Sequence, residues 1–229
     1  MQGKVVLVTG AKGGLGNYVT QTFLEAGAMV VGVSRSIKQS DFPHPNFTAV
    51  AGELTSSNAA GAVAGAALQK FGRIDALIHL VGGFGGVKPV TETDDATFEK
   101  MTDLNFRSAF YIAKAVLPHM QKAGSGRIVA ISSRAAIEPS PGVAAYAASK
   151  AALIALIRAV AAENKGSGIT ANVLLPGTIN TPANRAADPN TDTSKWINPE
   201  KLARLILWLA GEDASEVRGA VISVYGRDI

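Results

Sequence analysis

Along most of the chain, short β-branched runs alternate with longer Ala-rich segments whose apolar positions recur at helical spacing. Runs such as KVVLVTG, AMVVGVS and GRIVAIS are apolar nearly throughout, as strands are when helices cover both faces of a parallel sheet. The pattern predicts strands at Lys4–Thr9, Met29–Ser34, Phe47–Ala51, Ala76–Leu80, Arg127–Ser132, Thr170–Leu175 and Ala220–Val224. Helices are predicted at about Gly14–Ala26, Ser57–Phe71, Asp95–Lys122, Val143–Lys165 and Pro199–Ala210. Such alternation implies right-handed crossovers and an α/β, doubly wound parallel sheet of about seven strands with helices on both faces. No repeat, low-complexity tract or linker divides the 229 residues, so a single domain over 1–229 is expected.

Composition narrows the classes further. The chain has no cysteine, which removes disulfide and thiolate chemistry and is compatible with a cytoplasmic protein. The formal charge is +4, with basic residues scattered rather than clustered with aromatics, which argues against a nucleic-acid partner. The first strand begins close to the N-terminus, so no secretory leader is expected ahead of it. No apolar run is read as approaching the roughly 18 residues of a membrane span; AALIALIRAVAA comes nearest and Arg158 interrupts it. His44, His79 and His119 share no metal-ligand spacing, so no metal is expected.

Ligands of doubly wound sheets bind outside the carboxyl ends of the strands, which directs attention to the segments leaving those ends. The first is VLVTGAKGGLG, where Gly10, Gly14 and Gly16 stand between a strand and a helix. Lys12, Gly13 and Leu15 complete the loop. Glycines there allow a tight turn, and a helix N-terminus offers free N–H groups to a pyrophosphate. At the end of the second strand an acid would hydrogen-bond a ribose 2′-hydroxyl, whereas a basic residue would accommodate a 2′-phosphate. No acid stands between Gly27 and Ser40; Ser34, Arg35 and Ser36 occupy the turn, and Lys12 adds a second cation. NADP(H) therefore suits the site better, with NAD(H) still possible. The segment GVAAYAASKAAL places Tyr146 and Lys150 four residues apart on one helix face. Spacing alone leaves two readings open, a packed ring above a solvated lysine or a phenol set beside an ammonium.

TGAKGGLG together with YAASK, about 130 residues later, resembles the classical short-chain dehydrogenase/reductase family, and the resemblance runs over essentially the whole chain. It implies a Rossmann-like fold in which 1–125 mainly binds cofactor and 126–229 carries the catalytic and substrate-binding half. The family's serine lies 13 residues before its tyrosine, which selects Ser133 over Ser132. DLNFRSAF supplies Asn105, so the implied catalytic set is Asn105, Ser133, Tyr146 and Lys150. GELTS places Glu53 and Leu54 at the adenine, and PGTINT places Pro176, Gly177, Ile179 and Thr181 at the nicotinamide end. The match departs at HLVGG, where the family usually has NNAG: only Gly82 agrees, Val81 stands for Ala, and His79 is expected to be structural. Tyr225 and Arg227 in the terminal VYGRDI acquire no role from the resemblance.

The implied chemistry is hydride exchange between a nicotinamide and a small-molecule carbonyl or secondary alcohol. Tyrosine's ordinary pKa of about 10 is too high for proton exchange near neutrality, so Lys150 is expected to lower it. Ser133 would hold the substrate oxygen. Ala147, Ala148 and Ser149 are read only as small residues that let the helix pack closely. A 3-oxoacyl-acyl-carrier-protein ketoreductase and a non-catalytic NADP(H)-sensing regulator are the alternatives. Phe84, Ile137, Pro139, Val143 and a lid from Thr181 to Trp196 are expected to line the substrate pocket. By resemblance, the helices carrying Phe106, Phe110 and Ile154 are expected to pair between subunits of a homodimer or homotetramer.

Overall fold

The computed structural model describes residues 1–227; Asp228 and Ile229, the end of VYGRDI, lie outside the described residues. Seven parallel strands form one sheet: β1 (Val5–Thr9), β2 (Met29–Ser34), β3 (Phe47–Ala51), β4 (Ala76–His79), β5 (Ser125–Ile131), β6 (Gly168–Pro176) and β7 (Val221–Val224). Their order is β3-β2-β1-β4-β5-β6-β7, so the chain reverses direction across the sheet between β1 and β4. Helices α1 (Gly14–Glu25), α2 (Ser57–Phe71), α3 (Asp95–Thr102), α4 (Ser108–Ala123), α5 (Ala144–Glu163), α6 (Pro182–Ala187) and α7 (Pro199–Leu209) fill the connections. The predicted doubly wound architecture and all seven strands are present, with ends shifted by one or two residues.

Alternation along each strand divides the core in two. Val5, Leu7, Val31, Leu77, Ile128 and Val173 face α2, α4 and α5, meeting Val63, Ile112, Val116, Leu153 and Ile157. Val6, Val8, Val30, Ile78, Val129 and Leu174 face α1 and α7, meeting Val19, Phe23, Leu202 and Ile206. Helix ends follow local chemistry. The Ser56 hydroxyl accepts from Ala59 N at 3.2 Å to start α2, and Gly72 ends it at φ 71°. Asn198 likewise caps α7, followed by Pro199 at the first turn.

Three expectations are corrected here. The single helix at Asp95–Lys122 is α3 and α4 joined by a π-helical turn, Asp103–Arg107. Ser108 N bonds Asp103 O across that turn, and the Ser108 hydroxyl takes the Leu104 carbonyl at 2.7 Å, so the widened turn keeps its backbone satisfied. Helix α6 and several short 3-10 turns interrupt segments read as loop. Among the described residues α5 is long and apolar enough to cross a membrane, because Arg158 does not offset its Ala, Leu and Ile content. Here one face of α5 lies against the sheet, burying Ser149, Lys150, Leu153, Ile157 and Val160.

Candidate active site

Strands β1, β4 and β2 end level with one another, with Thr9 in register with both Val33 and His79. The loop leaving β1 must turn sharply into α1 at this edge. Gly10 turns at φ 75°, and a Cβ there would lie 3.0 Å from the Leu80 carbonyl carbon. A Cβ on Gly16 would lie inside the Gly10 carbonyl, so no other residue fits that position. Gly10 N and Ala11 N both donate to Val33 O, and Lys12 N donates to the Ser34 hydroxyl at 3.1 Å, stitching the loop to the end of β2. Helix α1 opens on Gly13, which has no side chain to cap the first amides, and no acid stands in its first turn. Leu15 packs inward beneath it. Such a cradle, with close glycines and an uncapped 12-residue helix behind them, fits the pyrophosphate of a dinucleotide.

The two halves of the chain meet beside this loop. A Cβ on Gly14 would stand 2.9 Å from the Thr181 Cβ. Thr181 is buried, and its hydroxyl accepts from Asn184 N at 3.3 Å to start α6. Pro176 is buried at the end of β6, Gly177 N donates to Val224 O at 3.0 Å, and Ile179 O accepts from Asn184 Nδ2 at 2.8 Å. Of the residues expected at the adenosine, Leu54 is buried, whereas Glu53, Arg35 and Ser36 are exposed. Lys12 is not open there. Its ammonium donates to Ser36 O at 3.2 Å and to Asp41, whose carboxylate oxygens stand 3.0 and 2.9 Å away. Asp41 lies one residue beyond the stretch searched for an acid, and the 3-10 turn Gln39–Asp41 folds it back onto the glycine loop.

The catalytic set predicted from sequence converges at the strand ends. Ser133 follows β5 and is half-buried; its hydroxyl accepts from Ala135 N at 3.2 Å and lies near enough to the Tyr146 phenol to act on its pKa. Ser132 points the other way and donates to Lys150 O at 2.8 Å, anchoring α5. Lys150 is 5% exposed and donates to Ile131 O at 2.8 Å. Burial pushes its pKa down to about 8. The Tyr146 phenol is pushed up, not down: burial outweighs the lowering by the nearby Ser133 hydroxyl. Its ring is packed edge-on against Phe84 at 5.1 Å. The expected lowering by Lys150 does not contribute to that shift.

Asn105, at 0% exposure, sits in the π-helical turn. Its amide accepts from Gly83 N at 2.9 Å and donates to Gly83 O at 3.1 Å and to the Ser149 hydroxyl at 3.1 Å. Ser149 in turn donates to Tyr146 O at 2.7 Å. Ser149 therefore ties Asn105 to the Tyr–Lys turn, a role its reading as a small packing residue missed. Gly82 completes the site, since a Cβ on it would meet Lys150 Nζ at 2.8 Å and Asn105 Oδ1 at 2.9 Å. Val81 beside it is half-buried against the core.

His79 is buried behind these groups. Ser108 already donates to Leu104 O, so its oxygen receives His79 Nε2–H at 3.4 Å, and His79 Nδ1 accepts from the Thr9 hydroxyl at 2.9 Å. Burial, reinforced by the Lys150 charge, pushes its pKa down to about 3, so the ring is neutral and acts as a structural link. A cleft of about 590 Å³ lies at the opposite, amino-terminal edge of the sheet, lined by Asp75, Arg127, Trp208 and Glu212. Two ion pairs lie along it, Arg127 with Glu212 and Lys4 with Asp75, and among the described residues no catalytic constellation converges there.

The model of the short chain dehydrogenase family matches residues 4–192, and the chain belongs to that family. It is 32% identical to a short-chain dehydrogenase/reductase of Talaromyces verruculosus, covering 98% of this chain and 96% of the relative. It is 31% identical to a 3-oxoacyl-acyl-carrier-protein reductase of Thermotoga maritima, covering 99% and 98%. The solved structure of ElxO with NADP bound superposes with a TM-score of 0.92 at 28% identity, covering 98% of each chain. The protein is thus an NAD(P)-dependent oxidoreductase that binds a nicotinamide cofactor and acts on small molecules.

Proposed function

We propose that the protein is an NADP(H)-dependent oxidoreductase that interconverts a carbonyl and a secondary alcohol, with Tyr146 as general acid/base. The observation that carries this reading is the convergence of the Ser133 hydroxyl, the Tyr146 phenol and the buried Lys150 ammonium at the strand ends that also carry the glycine cradle. A nicotinamide cofactor held by Gly10–Gly16 and Pro176–Thr181 would supply or accept the hydride at the substrate carbon. Tyr146 holds the proton given to the carbonyl oxygen in reduction, or removed from the hydroxyl in oxidation. Ser133 donates to the same oxygen as charge builds on it. Lys150 places a buried positive charge one helical turn from the phenol, and Asn105, braced by Gly83 and Ser149, fixes the wall beside that ammonium.

Residues Gly10–Gly16 with Pro176–Thr181 form the cofactor walls in this reading, and Lys12 with Arg35 favours a 2′-phosphate. The chain acts as a single domain, with 1–125 mainly serving the cofactor and 126–229 the chemistry. Phe84 is 64% exposed and Ile137 53%, so the substrate side of Tyr146 offers apolar contact to the group borne by the carbonyl. A 3-oxoacyl thioester, the substrate class in the name of the Thermotoga maritima relative, is one carbonyl this reading admits. Exposed Phe98 and Phe110 support pairing of α3, α4 and α5 in a homodimer or homotetramer. Tyr146→Phe is expected to lower turnover at least ~100-fold on any carbonyl the wild type reduces, with NADPH affinity nearly unchanged. Unchanged turnover would refute the assignment.

A further inference from the structure

Lys12 has little freedom. Its backbone N–H is held by the Ser34 hydroxyl at 3.1 Å, so only its side chain can be redirected. That side chain already meets a full counter-charge in Asp41, at 2.9 Å. Asp41 is itself fixed, accepting from Lys38 N at 2.8 Å within the 3-10 turn. The Lys12 ammonium beside it depresses the Asp41 carboxyl below its ordinary range, so at neutral pH the carboxylate is fully charged. Arg35, by contrast, makes no ion pair among the described residues. The adenosine end of the groove thus carries Arg35 outside any ion pair and Lys12 paired before any cofactor arrives, with Lys38 near enough for its charge to act on Asp41.

We infer that Asp41 is a determinant of cofactor selectivity, its carboxylate competing with a 2′-phosphate for the Lys12 ammonium. The inference rests on the NADP(H) reading above and specifies how that preference is limited. A 2′-phosphate brings a charge of about −1.5 to −2 near neutrality. It must draw Lys12 away from Asp41 or share it with a carboxylate of the same sign. A bare ribose hydroxyl makes no such demand, so Asp41 narrows the gap between NADPH and NADH that Lys12 and Arg35 create.

The experiment is direct titration of NADPH and NADH by the fluorescence of the reduced nicotinamide, without substrate, in wild type, Asp41→Asn, Lys12→Met and the double variant. Asparagine keeps an acceptor for Lys38 N, removes the charge and turns the oxygen 3.0 Å from the Lys12 ammonium into an amide donor. Asp41→Asn should tighten NADPH about two- to fivefold, the range of an exposed ion pair, and change NADH less than about 1.5-fold. In the Lys12→Met background the same substitution should gain little, because the two residues act as one unit. Unchanged or weaker NADPH binding in Asp41→Asn, with Lys12→Met still weakening NADPH selectively, would overturn the role of Asp41 and leave the NADP(H) reading standing. If neither Lys12→Met nor Arg35→Asp separates NADPH from NADH, the NADP(H) reading fails and this inference with it. Asp41→Ser repeats the test should the asparagine variant melt earlier than wild type.

Discussion

Gly82→Ala tests whether the crowding of Lys150 and Asn105 is needed for activity. The backbone at Gly82 does not require a positive φ, so alanine is conformationally acceptable and its smaller unfolded-state entropy favours folding by about 0.4–1 kcal/mol. Against this, the added Cβ would lie 2.8 Å from Lys150 Nζ and 2.9 Å from Asn105 Oδ1, closer than van der Waals contact allows. Overpacking of this size costs roughly 1–3 kcal/mol. The net loss of about 0–2.5 kcal/mol corresponds to a fall in Tm of up to roughly 10 °C in a chain of this size. Activity should suffer more than stability. Lys150 can yield only by leaving Ile131 O, and Asn105 only by straining its paired bonds to Gly83. A displacement of about 1 Å in such a site lowers turnover on the order of 100-fold. The assay is NADPH absorbance with a carbonyl the wild type reduces, alongside a thermal melt. Gly85→Ala is the control, because its Cβ would meet only Met101 Cε, at 4.0 Å. Turnover within twofold of wild type in Gly82→Ala would refute the argument that this glycine holds the ammonium in place.

Two further outcomes follow from burial and space. His79 has a folded pKa of about 3 against an ordinary 6.5, so its contribution to stability is complete above about pH 6.5 and is lost as pH falls toward 3. The slope is about 1.4 kcal/mol per pH unit in that window, and His79→Asn should flatten it. Urea midpoints at pH 7 and pH 4.5 measure the difference, and an equal acid loss in both proteins would contradict it. Gly61 lies on the exposed face of α2 with nothing within 4 Å of an added Cβ, so Gly61→Ala should stabilise the fold by about 0.5–1 kcal/mol. A melt at or below the wild-type temperature would count against that reading.

Much of this was legible because it is local. Apolar runs mark strands buried on both faces, and a four-residue spacing puts Tyr146 and Lys150 on one side of α5 whatever else the chain does. Other features depend on where distant segments come to rest. Asp41 was passed over because a 3-10 turn brings it to Lys12, 29 residues away, and local spacing carries no trace of that return. The destination of the Lys150 ammonium depends on the depth of α5 against β5, and the upward rather than downward shift of Tyr146 on the burial of its phenol. Periodicity could not reveal the π-helical turn, since one wide turn barely disturbs an apolar stripe. A serine within the Tyr–Lys turn was the available signal for the Ser149 bridge, since an Ala-rich helix has no packing need for a hydroxyl. Asn105 was legible only through the resemblance carried by DLNFRSAF. Its partners on Gly83 and Ser149 were not.

The strand order also bears on how the chain is made. Strand β1 lies between β2 and β4, and β5, β6 and β7 then add to one side in the order in which they leave the ribosome. Strand β1 therefore waits until residue 79 has been synthesised before both its edges are covered. From that moment β4 is the growing edge, with the apolar Leu77 and Ile78 flanking unpaired backbone, until β5 is complete at Ile131. The long connection through α3, the π-helical turn and α4 occupies that interval. The same segment that delivers Asn105 thus sets how long the nascent sheet stands open to the wrong partner.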